Sequence, residues 1–354
     1  MYLVIAILVF SFLIFIHELG HFITAKLFDV KVNEFSIFMG PRLFHWGKGE
    51  TEYSVRLLPI GGFCAMEGED GSSDDPRAFT AKAKWKRAII LAAGAAMNFL
   101  AGLLILIIIY STAGGFRTTE ITGFVDGCIL ESADGLQVGD RITEINGQNI
   151  LIFSDFSMLT ERADSTIMDV TVERNGEKVI LEDFNMQKQV YETEDGPMEI
   201  YGLTMGGIEE KNLWTVLKNS VLTSVDFGRM VAMGLSDLLT GEAGVKDMSG
   251  PVGIVDNIQE TGKSAESTID GVLNVLYFGA FIAVNLSFMN MLPIPALDGG
   301  HIFFLLVTWV IESLTKRKLN PKYEAYIHGA GLVLLMGLML FVTFNDIVKL
   351  IVGG

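Results

Sequence analysis

His17-Glu18-Leu19-Gly20-His21 lies inside an apolar stretch that runs from Tyr2 to Phe28, where a bilayer-spanning helix ordinarily tolerates no charge. Positions i and i+4 share one face of a helix. His17 and His21 can therefore reach a single Zn²⁺, with Glu18 turned toward a metal-bound water as general base. Five-residue matches of this kind also arise by chance, and ordinary surface polarity is their plain reading. The hydrocarbon setting weighs against it. Two imidazoles and a carboxylate in lipid are costly unless something compensates, so ionisable residues there are functional by default.

Composition asks for a membrane protein. Of 354 residues, 50% are hydrophobic and only 19% charged, and the mean hydropathy is +0.42. Four stretches are long enough to cross a bilayer, which takes roughly 20 apolar residues: Tyr2 to Phe28, Ala88 to Phe116, Gly271 to Leu297, and Ala325 to Asn345. A cleaved signal peptide fits the first stretch poorly, because no Lys or Arg precedes it and no small-residue cleavage site follows. A pI near 4.7, with no phosphate loop or dinucleotide fingerprint, argues against nucleic acid as a partner.

Charge sets the expected topology. Arg77, Lys82, Lys84, Lys86 and Arg87 form a run without an acid, and Lys316, Arg317, Lys318 and Lys322 cluster before the last span. The positive-inside rule makes both loops cytoplasmic. Phe116 to Asn212 instead carries 20 Asp and Glu against 7 Lys and Arg, and belongs on the other side. Four crossings then leave both termini extracytoplasmic. His17 falls about 24 Å along the first helix, toward the cytoplasmic third of the bilayer. Cys64 and Cys128 are expected on opposite sides, so no disulfide framework is available.

The second decisive stretch is Asn290-Met291-Leu292-Pro293-Ile294-Pro295-Ala296-Leu297-Asp298-Gly299-Gly300. Two prolines withdraw backbone donors and break a helix at membrane depth, which is tolerated only where the freed carbonyls are buried or line a polar cavity. Asp298 emerges beside that break. A zinc held by two histidines needs a third protein ligand and an open position. Asp298 is favoured over His301, because the glycine pair that follows it allows the backbone to come close to a metal. His45 lies in a loop and His328 at the start of the last span.

HELGH in the first span, NxxPxPxLDGG in a later one, and a domain between them make the chain resemble the bacterial site-2 protease family of intramembrane zinc metalloproteases, its regulator-of-sigma-E protease branch. The resemblance covers essentially the whole chain. It implies Zn²⁺ bound by His17, His21 and Asp298, with Glu18 as catalytic base, and asparagines at Asn290 and Asn285 that hold the substrate backbone. It further implies residence in a bacterial inner or cytoplasmic membrane. The implied substrates are single-span proteins such as anti-sigma factors, or remnant signal peptides, trimmed beforehand by an upstream site-1-type protease. One departure is visible: Gly94-Ala95-Ala96-Met97-Asn98 has Ala95 where the family usually carries Pro. Asn98 and Asn274 read as interhelical glue, since amide hydrogen bonds are a common way of holding membrane helices together.

Between the first two spans, alternation from Val32 to Met39 and again from Thr51 to Leu57, around Gly47-Lys48-Gly49, signals a hairpin that the Gly61-Gly62-Phe63 step should end. The resemblance suggests that this sheet dips toward the active site, where a strand edge would supply hydrogen bonds to an unwound substrate. In the acidic segment, Gly135-Leu136-Gln137-Val138-Gly139-Asp140 followed by Ile142, Ile145 and Asn146-Gly147 resembles a PDZ domain, with Tyr201-Gly202-Leu203 as its groove loop. A size or access filter is the favoured role for this domain. Trp214, Leu217, Val221 and Val225 mark an amphipathic helix at the outer interface, followed by a loop from Gly241 to Gly253.

The expected fold is thus a polytopic α-helical membrane protein with four transmembrane helices, a cytoplasmic-side β-hairpin sheet and one extracytoplasmic PDZ-like domain. Its segments are a first span at 1–28, the hairpin and basic loop at 29–87, a second span at 88–115 and the outer domain at 116–212. The amphipathic helix and loop at 213–270, the broken third span at 271–311, a basic loop at 312–324 and a fourth span at 325–354 complete it. A non-catalytic membrane adaptor is the rival reading. It would have no use for His17, Glu18, His21 and Asp298 together.

Overall fold

A computed structural model describes residues 2–352 apart from 70, 72, 194–195, 245–249, 264, 266 and 317–320. In chain order the elements are α1 (Tyr2–Leu27), β1 (Val32–Trp46), β2 (Glu52–Met66), α2 (Lys84–Thr112), β3 (Gly115–Arg117), β4 (Ile121–Phe124), β5 (Arg141–Ile145) and β6 (Gln148–Asn149). They continue with α3 (Asp155–Glu161), β7 (Ile167–Arg174), β8 (Glu177–Asn185), β9 (Gln189–Thr193), β10 (Gly196–Ile200), β11 (Leu203–Met205) and β12 (Ile208–Glu210). The chain closes with α4 (Leu213–Thr240), α5 (Pro251–Lys263), α6 (Thr268–Asn290), α7 (Asp298–Thr315) and α8 (Pro321–Val352). Residues 1–109 and 227–354 form one compact unit, and 110–226 a second.

In the first unit, α1, α2, α6 and α8 are long and apolar enough to cross a membrane. Their outward faces carry Leu8, Phe12, Leu100, Leu104, Leu334 and Leu340, all exposed, a surface that a bilayer covers and water would penalise. Ala6, Leu13, Ile258, Val275, Ile282 and Ala283 pack between helices. The third of these helices is followed by a break, as the prolines require: α6 ends at Asn290 and α7 starts at Asp298. The intervening turn includes Ala296 in the left-handed region, φ 77°. Gly299 and Gly300 are needed there for packing, since a Cβ on either would lie 2.3 Å from the Met291 carbonyl or 2.2 Å from that of Ile294. The glycine pair therefore serves the fold of the turn; the atoms it would strike belong to 291–295.

The hairpin forms, but it does not end at Gly61. Gly61 adopts φ 74° and bends β2, after which 62–66 pairs with one edge of 32–37 (Phe35 with Cys64, Ile37 with Gly62). The other edge of 32–37 pairs with 52–55, and 53–56 pairs in turn with 42–46, made possible by the bends at Phe38 and Gly40. Two bent strands thus build a four-segment layer in which 62–66 is an outer edge. Phe35, Val32, Cys64 and Met66 anchor it with Ala25, Ile90 and Leu91.

The expected loop from Gly241 to Gly253 is also corrected at its end, because α5 begins at Pro251. Proline suits a first helical position, and Asp346 of α8 caps this helix by accepting the Gly253 N–H at 2.8 Å. Met248 and Ser249, like Arg317 and Lys318, lie outside the described residues.

In the second unit, β6-β5-β7-β8 form an antiparallel sheet. The Asn146-Gly147 turn carries positive φ at both residues, 48° and 73°, the signature of a type I′ hairpin. Ile142, Ile145, Val170, Val172, Leu130 and Leu136 are fully buried. Asp140 is buried as well and accepts two bonds of 2.7 Å from Arg174, whose Nη2 also donates to the Gly135 carbonyl. That fork ties the Gly135–Asp140 turn to β7. The first part of α4 reverses the usual pattern: Trp214, Val221 and Val225 are exposed, whereas Ser220, Thr223 and Ser224 are buried. Ser220 and Ser224 satisfy their hydroxyls on carbonyls four residues back.

Candidate metal centre

Helix periodicity places His17 and His21 on one face of α1, and the turn after α6 delivers Asp298 to the same point. Nε2 of His17 and Nε2 of His21 are 3.2 Å apart. Asp298 Oδ2 is 3.3 Å from the first and 3.5 Å from the second. A tetrahedral zinc with bonds of about 2.0 Å has ligand-to-ligand edges of about 3.3 Å. The three donor atoms therefore already have the spacing of three corners of such a site. Asp298 Oδ2 is buried and accepts no hydrogen bond, as a carboxylate oxygen kept for a cation would be.

The surroundings fix these donors. His21 Nδ1 donates to the Ile90 carbonyl at 2.8 Å, which leaves its Nε2 lone pair facing the cluster. Nδ1 of His17 faces two amides, Asn98 at 3.4 Å and Asn290 at 3.5 Å. Gly94 opens the space for both rings: a Cβ there would lie 2.3 Å from His21 Nε2 and 2.7 Å from His17 Cε1. Gly20 lets the two helices close, its would-be Cβ lying 2.4 Å from the Ala93 carbonyl oxygen.

Glu18 lies against the outer edge of the sheet. A Cβ at Gly62 would come within 3.1 Å of Glu18 Cγ. The remaining histidines stand apart. His301 stacks on His328 at 3.7 Å between ring centroids, and His45 pairs with Glu52 at 3.1 Å. Asn285 sits five residues before Asn290 on α6, about 140° away around the helix, and makes no hydrogen bond to the cluster among the described residues. Sequence reasoning gave Asn98 to helix packing and did not single out Gly94's clearance for the imidazoles. The one-turn spacing of Gly94 and Asn98 is the signal that carried both.

Residues 5–338 match the family model Peptidase family M50, and the chain belongs to that family. It is 36% identical over 349 residues to a protein of Clostridium perfringens named a zinc metalloprotease, with 98% of this chain and 99% of that one covered. A chain of Clostridium acetobutylicum with the same name is 36% identical over 348 residues, with 98% and 97% covered. Regulator of sigma-W protease RasP of Bacillus subtilis is 28% identical over 429 residues, with 97% of each chain covered. The chain is a membrane-embedded, zinc-dependent metalloprotease of the site-2 type.

Proposed function

We propose that the enzyme cuts peptide bonds within the membrane-spanning segments of single-span proteins, in regulated intramembrane proteolysis. The observation that carries this reading is the triangle of His17, His21 and Asp298 donor atoms beside Glu18, on a helix apolar enough to span a bilayer. In this reading His17, His21 and Asp298 hold the zinc. Bound there, zinc supplies a Lewis acid for the scissile carbonyl and brings the pKa of water toward about 7. Glu18 takes the proton of the attacking water and returns it to the leaving amine.

A helical substrate hides its carbonyls in i to i+4 bonds, so it must unwind first. The edge 62–66, paired on one side only among the described residues, offers an unwound peptide a strand to join, and Gly62 sets that edge against Glu18. Asn290 and Asn285 steady the substrate backbone. Anti-sigma factors and remnant signal peptides are the substrate classes, the former supported by the name of the Bacillus subtilis relative. An upstream site-1-type protease removes their outer parts beforehand. The enzyme resides in a bacterial inner or cytoplasmic membrane with both termini outside, a reading supported by the basic loops and the acidic 116–212 segment. There the second unit works as a PDZ-like access filter, and the exposed stripe of Trp214, Val221 and Val225 lies on the outer membrane surface.

The test is Glu18→Gln in full-length enzyme reconstituted with a single-span substrate. Cleavage should vanish while zinc content stays that of the unaltered protein. Cleavage at a near-normal rate would remove Glu18 from the chemistry.

A further inference from the structure

We infer that Asn98 is a positioning residue that fixes the tautomer of His17, presenting its amide oxygen to Nδ1–H so that Nε2 is held as a metal ligand. The inference rests on the reading of His17 as a zinc ligand. It starts from two observations on the same side chain. Asn98 is 1% exposed, and its Oδ1 is buried without a hydrogen-bond partner, while its Nδ2 faces His17 Nδ1 at 3.4 Å.

A neutral imidazole has one N–H. When Nε2 gives its lone pair to a metal, Nδ1 carries the proton and becomes a donor. Nδ2 of an amide is also a donor, so an Asn98 turned with Nδ2 toward the ring opposes a loaded site. A half-turn of the amide fills the same space with oxygen and nitrogen exchanged. It sets Oδ1 opposite Nδ1–H and so gives that oxygen the partner it lacks.

Asn290 also reaches Nδ1, at 3.5 Å, but one N–H cannot serve two acceptors well. Asn290 is only half-buried, whereas the Asn98 oxygen has no solvent to turn to. The pairing then matches that of the other ligand, since His21 already hands its Nδ1–H to the Ile90 carbonyl. Both acceptors belong to α2, eight residues apart, and Gly94 between them gives the rings their room. The helix acts as a cradle of one backbone carbonyl, one gap and one amide oxygen. Outer partners of this kind typically alter metal affinity by about 10- to 100-fold.

The test measures zinc affinity by chelator competition on the purified full-length protein, with the visible spectrum of the cobalt-substituted form as a second readout. Asn98→Leu should weaken zinc by about 10- to 100-fold and change the cobalt spectrum. Asn98→Asp, which keeps an oxygen acceptor and cannot donate, should hold zinc as tightly as the unaltered protein or more so. Should the leucine variant fail to accumulate, Asn98→Ala carries the same expectation without extra bulk. Unchanged affinity in the leucine or alanine variant overturns the proposal, as does an Asn98→Asp affinity as poor as theirs. His17→Ala separates this from the underlying reading: if it binds zinc normally, His17 is no ligand; if it loses zinc while Asn98→Leu does not, only the positioning role falls.

Discussion

The backbone N–H of Ala296 donates to Nδ1 of His328 at 3.1 Å, so a side chain on α8 holds the turn that carries Asp298. Gly331, one turn further along α8, admits Pro295 so closely that a Cβ would sit 2.4 Å from its Cβ. Ala296 has φ 77°, a conformation that costs a non-glycine residue roughly 1–3 kcal/mol. His328→Phe keeps a ring to stack on His301 and removes the acceptor. It should destabilise the protein by about 1 kcal/mol, the usual net worth of one hydrogen bond, in this partly buried turn. Ala296→Gly should stabilise by about 1 kcal/mol, since glycine takes positive φ without penalty. Denaturation in detergent measures both, and a neutral His328→Phe would show that the turn holds itself.

Asp298→Ala should lower zinc occupancy sharply, and His301→Ala should leave it unchanged, because His301 faces His328 rather than the donor triangle. Metal analysis of the two purified variants decides it. The reverse pattern would make His301 the third ligand.

At the hairpin turn, Arg77 and, after it, Lys26 hold the Glu50 carboxyl down at about 2, against an ordinary value of 4.5. A carboxylate whose pKa is lower in the folded state adds stability above its unfolded pKa and loses it as pH falls through the folded one. The loss should therefore run from about pH 4.5 down to about 2. Thermal unfolding of Glu50→Gln should be less sensitive to acid across that window than the unaltered protein. Parallel curves would mean that this triad contributes nothing.

If the second unit is a filter, deleting 116–212 should leave activity on short substrates and admit substrates that still carry bulky outer domains. If it captures trimmed ends, deletion should slow short substrates and leave long ones resistant. Matched short and long substrates in one reconstituted assay distinguish these. Long substrates uncut by a deletion enzyme still active on short ones would dispose of the filter.

What was legible in the sequence is what depends on local periodicity. Spacing of four brings His17 and His21 together on any straight helix, and two prolines force a break wherever they fall, which is why Asp298 was visible beside it. Asn146-Gly147 carried its own backbone preference into the β5–β6 turn. Hidden features depend on how distant segments meet. A glycine bend and a strand end look alike in sequence, so the second pairing of 62–66 was not foreseen. The stripe on α4 was visible, but not that its serine and threonine face would be the buried one. Helix α5 is short and starts at a proline, with an N-terminal cap nearly a hundred residues away at Asp346. The meeting of Asn98 with His17 depends on the rotation of α2 against α1, which no local pattern carries.

The contact between α1 and α2 ties the metal donors to the packing of the two helices. The Ile90 carbonyl, the gap at Gly94 and the Gly20–Ala93 approach join the two helices at the same level as the donor triangle. Separating the two helices by about an ångström would stretch the hydrogen bond that orients His21 beyond bonding range. Bulk added at Gly20 or Gly94 would therefore displace the imidazoles as well as the helices. Asp298 comes to the same point from α7, so the spacing of the three donors is set by how that helix packs on this pair.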